Sequence, residues 1–123
     1  MNKLLSLIVP VFNEEEVLPA SYARMSAAMQ ALTGYDYEII YVNDGSRDGT
    51  MKRLRAIAGE HKEVRVISFS RNFGHQLAVT AGMDNARGDA LIIIDADLQD
   101  PPEVIAELVK AWENGADIAY GKR

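Results

Sequence analysis

Ala90-Leu91-Ile92-Ile93-Ile94-Asp95-Ala96-Asp97-Leu98-Gln99 runs from an unbroken apolar stretch straight into an acidic, polar one. A continuous apolar run of strand length, rather than an alternating one, marks a parallel strand covered by other elements on both faces. Working outward, similar runs lie at Leu4–Val9, Glu38–Asn43, Val64–Ser68 and Asp117–Tyr120. Helix-period segments separate them. The first has a short turn at Glu14 and then a helix with Pro19 in its first turn, ending near Leu32; the second runs from an Asp48 cap to about Glu60. The third covers roughly His75–Ala86, and the fourth has Asp100 as cap, Pro101 at its first position and Val104, Leu108 and Trp112 as its buried stripe. This alternation predicts an α/β fold: a mostly parallel sheet with helices on both faces.

The chain of 123 residues is enough for one modest core. With 48% hydrophobic and 25% charged residues it reads as globular, which excludes disorder, collagen and coiled coil as its main state. A net charge of −5 is a poor footprint for phosphate-backbone binding, so no nucleic acid partner is expected. The chain has no cysteine, hence no disulfide, thiolate zinc site or cysteine nucleophile, and its two histidines exclude a His-rich metal site. The apolar stretch near the N-terminus is broken by Ser6 and Pro10 and is not a signal peptide; no run approaches the roughly 20 residues that span a bilayer. The sequence stops at Gly121-Lys122-Arg123 straight after a strand run, and we read it as part of a larger protein.

In an open α/β sheet, ligands bind beyond the carboxyl ends of the strands, and the polar residues here gather there. Asp95, Asp97 and Gln99, two apart in extended backbone, can present oxygen donors on one side. Two close carboxylates repel, and a hard divalent cation, Mg²⁺ or Mn²⁺, relieves that repulsion while keeping positions open for substrate phosphates. The plain alternative, an Asp that ends a strand and another in a solvated loop, is commoner for a bare Asp-x-Asp but weaker in this context. Asp44 could accept from a ring N–H of a pyrimidine base, with Gly45 letting the chain turn close to a ligand. Asp48 and Gly49 read as an ordinary strand-to-helix turn. Phe12 could stack on a base, and Glu14 or Asn13 could hold ribose hydroxyls, while Glu16 reads as solvated helix start. Arg71 to His75, opening the third helix, would set donors and a positive helix end near phosphate. His75 alone fits a surface position as well as a ligand contact. Gly-x-Gly-x-x-Gly, the P-loop pattern and Gly-x-Ser-x-Gly do not occur, so the dinucleotide, P-loop and α/β-hydrolase signatures are missing.

Val9-Pro10-Val11-Phe12-Asn13-Glu14-Glu15, Val42-Asn43-Asp44-Gly45-Ser46, Arg71-Asn72-Phe73-Gly74 and Asp95-Ala96-Asp97-Leu98-Gln99-Asp100-Pro101-Pro102, in that order, closely resemble family 2 glycosyltransferases of the GT-A fold. Within them the branch is similar to the polyprenyl-phosphate glycosyltransferases, relatives of dolichol-phosphate mannose synthase and the bactoprenol glucosyl transferases. The resemblance implies the Rossmann-like, nucleotide-binding half of a GT-A domain over residues 1–123. It implies Pro10, Phe12, Asn13, Glu14, Asp44 and Arg71 as nucleotide-binding residues, Asp95, Asp97 and Gln99 as the Mg²⁺ or Mn²⁺ ligands with Asp95 and Asp97 catalytic, and Arg123 as a contact to the acceptor phosphate. Asn43 departs from the commoner Asp, and Phe12 stands where many members have Tyr, so stacking survives but a hydroxyl hydrogen bond does not.

The implied reaction is inverting transfer of a sugar from a nucleotide diphosphate, with UDP-glucose or a related UDP-sugar favoured, to a polyprenyl phosphate. The implied partners are therefore a nucleotide sugar and a lipid phosphate, and a homo-oligomer is compatible with both. The longer protein would work at the cytoplasmic face of the cell membrane, with residues 1–123 soluble by themselves. Alternatives are a non-catalytic nucleotide-sugar binding module, a transferase with a saccharide acceptor, and a sugar nucleotidyltransferase, the last disfavoured because Pro10 to Glu15 has no Gly-rich basic loop. The sheet and the inner helix faces are expected to take up the apolar residues, with no surface left for a polyprenyl tail.

Overall fold

The structure, a computed structural model, describes residues 2–96 and 104–114, with residues 119–120 described as backbone. Among the described residues, five strands, β1 (Lys3–Val11), β2 (Tyr35–Asn43), β3 (Val64–Ser68), β4 (Ala90–Ile93) and β5 (Ala119–Tyr120), alternate with four helices, α1 (Leu18–Gln30), α2 (Thr50–Glu60), α3 (His75–Asn85) and α4 (Ile105–Glu113). Every strand pairing is parallel, in the order β3-β2-β1-β4-β5. This is the expected α/β sheet. The first two strands are longer than their apolar runs, because Pro10 and Val11 stay in register with Val42 and Asn43, and Tyr35 to Tyr37 with Lys3 to Leu5. Pro10 is tolerated in this central strand because pairing with β4 reaches only to Ile8 opposite Ile93.

Side chains two apart separate the two faces. Leu5, Leu7, Val9 and Val11 of β1, Ile39 and Tyr41 of β2, and Ile92 of β4 join Leu18, Met25 and Met29 of α1, Leu54 of α2, and Ile105 and Val109 of α4 in the larger core. On the opposite face, Ile8, Ile40, Val42 and Ile93 pack under Ala78 and Val79 of α3. Helices therefore cover both faces, as expected for strands this apolar.

Two expectations are corrected. In α4 the fully buried residues are Ile105 and Val109, while Val104, Leu108 and Trp112 flank this seam, partly buried against the same core. Trp112 lies edge-on to Tyr35, its centroid 6.4 Å away, with Lys3 Nζ over the ring. The expected cap Asp100 and first helical residue Pro101 lie outside the described residues, as do 117–118 of the last strand run. Nor does the interior take up all the apolar residues: Phe69, Phe73, Leu77 and Ala81 line an outward groove of about 310 Å³ on α3, with Phe73 42% and Leu77 52% exposed.

One face is not purely apolar. Beyond the end of α3, Glu38 is buried in β2 and its carboxylate accepts from Ser6 Oγ at 2.6 Å, the Arg87 main-chain N–H at 2.8 Å and Arg65 Nη1 at 3.0 Å. Burial pushes the Glu38 carboxyl up, but these hydrogen bonds and the Arg65 charge outweigh it and hold it below the usual carboxylate range. The cluster anchors the α3–β4 connection, since Gly88 N–H donates to Ser6 Oγ at 2.8 Å.

Candidate functional site

The order β3-β2-β1-β4 puts the topological switch point between β1 and β4: the connections through α1 and α2 pack on one face and that through α3 on the other. A crevice is expected at this point, outside the strand ends. A cleft of about 270 Å³ lies there, walled by Pro10 and Val11 at the end of β1, Phe12 and Glu14 just after it, Asp44 after β2, Asn72, Gly74 and His75 at the entry to α3, and Asp95 after β4. Pro10, Phe12, Glu14, Asp44 and Asp95 of the candidate site residues all line this cleft. Asn13 and Arg71 are not in this group. They line a neighbouring depression of about 380 Å³ with Ser46, Arg47 and Ser70, and Phe12, 44% exposed, belongs to both. The Arg71 guanidinium stacks over the Phe73 ring, 4.7 Å from its centroid. Asp97, Gln99 and Arg123 lie outside the described residues.

Loop-to-loop hydrogen bonds hold these residues. Asn13, with φ 52°, donates its N–H to Ser46 Oγ at 2.9 Å and accepts from the Arg47 N–H on its Oδ1 at 2.9 Å, so its amide fastens the β1–α1 loop to the β2–α2 loop. Glu14 N–H donates to Thr50 Oγ1 at 2.8 Å, and Glu15 Oε1 accepts from Gly49 N–H at 3.2 Å. Asn43 Oδ1 accepts from Ser46 N–H at 3.1 Å, which gives the residue a turn-holding role. Asp48 precedes α2 and accepts from both the N–H and the hydroxyl of Thr50. The Thr50 hydroxyl is the main reason its carboxyl sits below the usual range.

Asp44 is almost wholly buried, 4% exposed. Its Oδ1 accepts from Phe73 N–H at 2.7 Å, and its Oδ2 from Gly74 N–H at 3.0 Å and Asn72 Nδ2 at 3.2 Å. The carboxylate therefore ties the end of β2 to the start of α3, a role that local sequence does not reveal. At Gly45, φ 71°, a Cβ would stand 2.2 Å from the Arg71 carbonyl carbon, so this turn lies close against protein backbone. Across the cleft, His75 Nε2 is 3.2 Å from Asp95 Oδ1.

Mg²⁺ is commonly held by one or two carboxylates plus substrate phosphates. Asp95 fits such a set: its side chain, 13% exposed, lines the cleft at a strand end, with hard oxygen donors. Among the described residues no three His, Cys, Asp or Glu side chains form a metal-binding group. No described helix is long and apolar enough to cross a membrane.

The family described as glycosyl transferase family 2 matches residues 6–123. The chain is 49% identical over 119 residues to a bactoprenol glucosyl transferase of Shigella phage SfV, covering 97% of this chain and 38% of the relative. It is similar in structure to the mannosyltransferase PcManGT of Pyrobaculum calidifontis, solved with GDP-Man and Mn²⁺, with a TM-score of 0.73 at 23% identity over 89% of this chain and 32% of that one. It is also similar to glucosyl-3-phosphoglycerate synthase of Mycobacterium tuberculosis, solved with Mn²⁺, UDP and glucosyl-3-phosphoglycerate, with a TM-score of 0.66 at 25% identity over 89% of this chain and 39% of that one. The chain spans little more than a third of the length of the curated relatives it matches. A family match over nearly the whole chain, on an α/β sheet shared with glycosyltransferases of known structure, leads to one conclusion: the chain belongs to glycosyl transferase family 2.

Proposed function

We propose that this chain is the donor-binding part of a metal-dependent, inverting glycosyltransferase that moves a sugar, glucose in the first instance, from UDP to a polyprenyl phosphate. The observation that carries the reading is the cleft at the β1/β4 switch point, where an exposed aromatic ring, a buried carboxylate and the Asp95 carboxylate converge. The bactoprenol glucosyl transferase at 49% identity supports the lipid acceptor and the sugar. The Mn²⁺ and UDP of the mycobacterial synthase support the metal and the base. By the same resemblance the longer protein acts at a membrane surface.

In this reading the Phe12 ring stacks on the base and Glu14 takes ribose hydroxyls. Asp44 keeps its loop hydrogen bonds and accepts a base N–H on a remaining lone pair. Arg71 and Asn13 line the adjoining depression, where the Arg71 charge offsets that of a diphosphate. Asp95, Asp97 and Gln99 would hold a divalent cation, which would supply Lewis-acid stabilisation to a departing diphosphate. The acceptor phosphate, steadied by Arg123, is already an anion, so little general-base help is required. One phosphate oxygen attacks the anomeric carbon as the bond from that carbon to the UDP oxygen breaks, which inverts the centre.

Calorimetric titration of UDP, GDP and dTDP into the chain, with and without Mn²⁺, tests the donor side. UDP should bind best and more tightly with metal, and Asp97→Ala should abolish the difference; equal affinities with and without metal overturn the metal assignment. Sugar transfer to undecaprenyl phosphate by the longer protein in bilayers tests the acceptor, and transfer to a saccharide instead overturns it.

A further inference from the structure

His75 opens α3 and lies on the cleft with its side chain half exposed. The helix start that carries it is not a loose loop. Phe73 and Gly74 donate their N–H groups to the buried Asp44 carboxylate, and Gly74 O accepts the first helical hydrogen bond from Ala78 N at 3.1 Å. The imidazole thus projects from a fixed point, and its Nε2 lies 3.2 Å from Asp95 Oδ1. An Asp carboxylate at the end of a strand can turn about its terminal torsion, which has a broad profile. A donor held rigidly against one oxygen narrows that range, and carboxylates that ligate metals are commonly oriented this way by a second residue.

We infer that His75 is a positioning residue: with its proton on Nε2 it donates to Asp95 Oδ1 and holds the carboxylate in the orientation a divalent cation in the cleft would meet. The inference rests on the reading of Asp95 as a cation ligand and adds to it a residue that acts through Asp95.

Two measurements test this. In the metal-free chain, at a pH where the imidazole is neutral, ring ¹⁵N shifts should show His75 protonated on Nε2, and Asp95→Ala should move the Nε2 resonance. Identical resonances in parent and variant overturn the contact. In Mn²⁺ titrations followed by electron paramagnetic resonance, His75→Leu should weaken binding about tenfold, the lower end of the loss usual for an orienting partner. His75→Gln, which keeps a side-chain N–H, should restore most of the affinity. A parent chain that takes up no Mn²⁺ overturns the reading of Asp95 as a ligand. Mn²⁺ binding by the parent that is unchanged or tightened in His75→Leu overturns the role of His75 alone.

Discussion

The Asp44 carboxylate accepts the main-chain N–H of Gly74 at 3.0 Å, joining the end of β2 to the residue before α3 across 30 positions of sequence. Because Phe73 N–H and the Asn72 amide converge on the same carboxylate, Asp44 shapes the cleft wall whether or not it also meets a ligand. The end of β2 and the entry to α3, both on the cleft wall, are consequently coupled through the buried Asp44 side chain.

Replacement of Asp44 by Ala should therefore act on the protein before any ligand is added. Phe73 and Gly74 lose their shared acceptor, and stability should fall by about 1–3 kcal/mol, the usual result of leaving buried donors unmet. Asp44→Asn, which keeps one acceptor oxygen, should fall between. Urea unfolding measures both; an Asp44→Ala protein as stable as the parent would show that the loop finds other acceptors.

Gly45→Ala should be more damaging than a glycine substitution in open space. At Gly45, φ is 71° and the added carbon would meet Arg71 and Asn72 backbone at 2.2 and 2.3 Å; at Gly34, φ is 86° with nothing within 4 Å. Gly34→Ala should cost only the left-handed backbone penalty, about 1–2 kcal/mol, and Gly45→Ala clearly more. Thermal unfolding of the two variants side by side decides it, and equal losses would show that the two loops part easily.

Among the described residues, the Tyr41 hydroxyl is fully buried without a hydrogen-bond partner. Burial, with the nearby Tyr22 phenol, drives its pKa far above the ordinary tyrosine value. Tyr41→Phe removes the unmet donor and keeps the ring, so stability should stay level or rise by about 1 kcal/mol. A loss of that size in chemical denaturation would reveal a partner for the hydroxyl.

Glu38 predicts a pH dependence. Its folded pKa is lower than its unfolded one, so its contribution is fully present above the unfolded pKa and disappears as pH falls through the folded value. Glu38→Gln should be less stable than the parent near neutrality, and the gap should close as pH is lowered from about 6 toward 3, across the ordinary glutamate range. Denaturant midpoints collected over that range test it. A gap independent of pH would mean that packing, not charge, is what Glu38 contributes.

Much of the architecture is legible in local sequence. Continuous apolar runs ending in polar residues are what a parallel sheet between two helical layers requires, and the runs around Val9, Tyr41, Val66 and Ile92 fall in β1 to β4. The strand ends also mark where a site belongs, because Phe12, Asp44 and Asp95 follow apolar runs and the fold sets such ends on one edge. Partnership between those residues is a different matter. That Asp44 reaches Gly74, that His75 meets Asp95 across 20 positions, and that Asn13 and Arg71 line a second depression while Phe12 borders both depend on how the crossovers bring separate loops together. The seam of α4 was settled the same way: its periodicity allows Val104-Leu108-Trp112 or Ile105-Val109, and packing against the sheet chose the second. Local sequence determines where the strands run and end, since a continuous apolar run is a property of each segment's own pattern; which helix face is buried and which polar groups meet is decided only in the tertiary structure, because packing seams and hydrogen bonds between loops exist only once the strand order has set their distances.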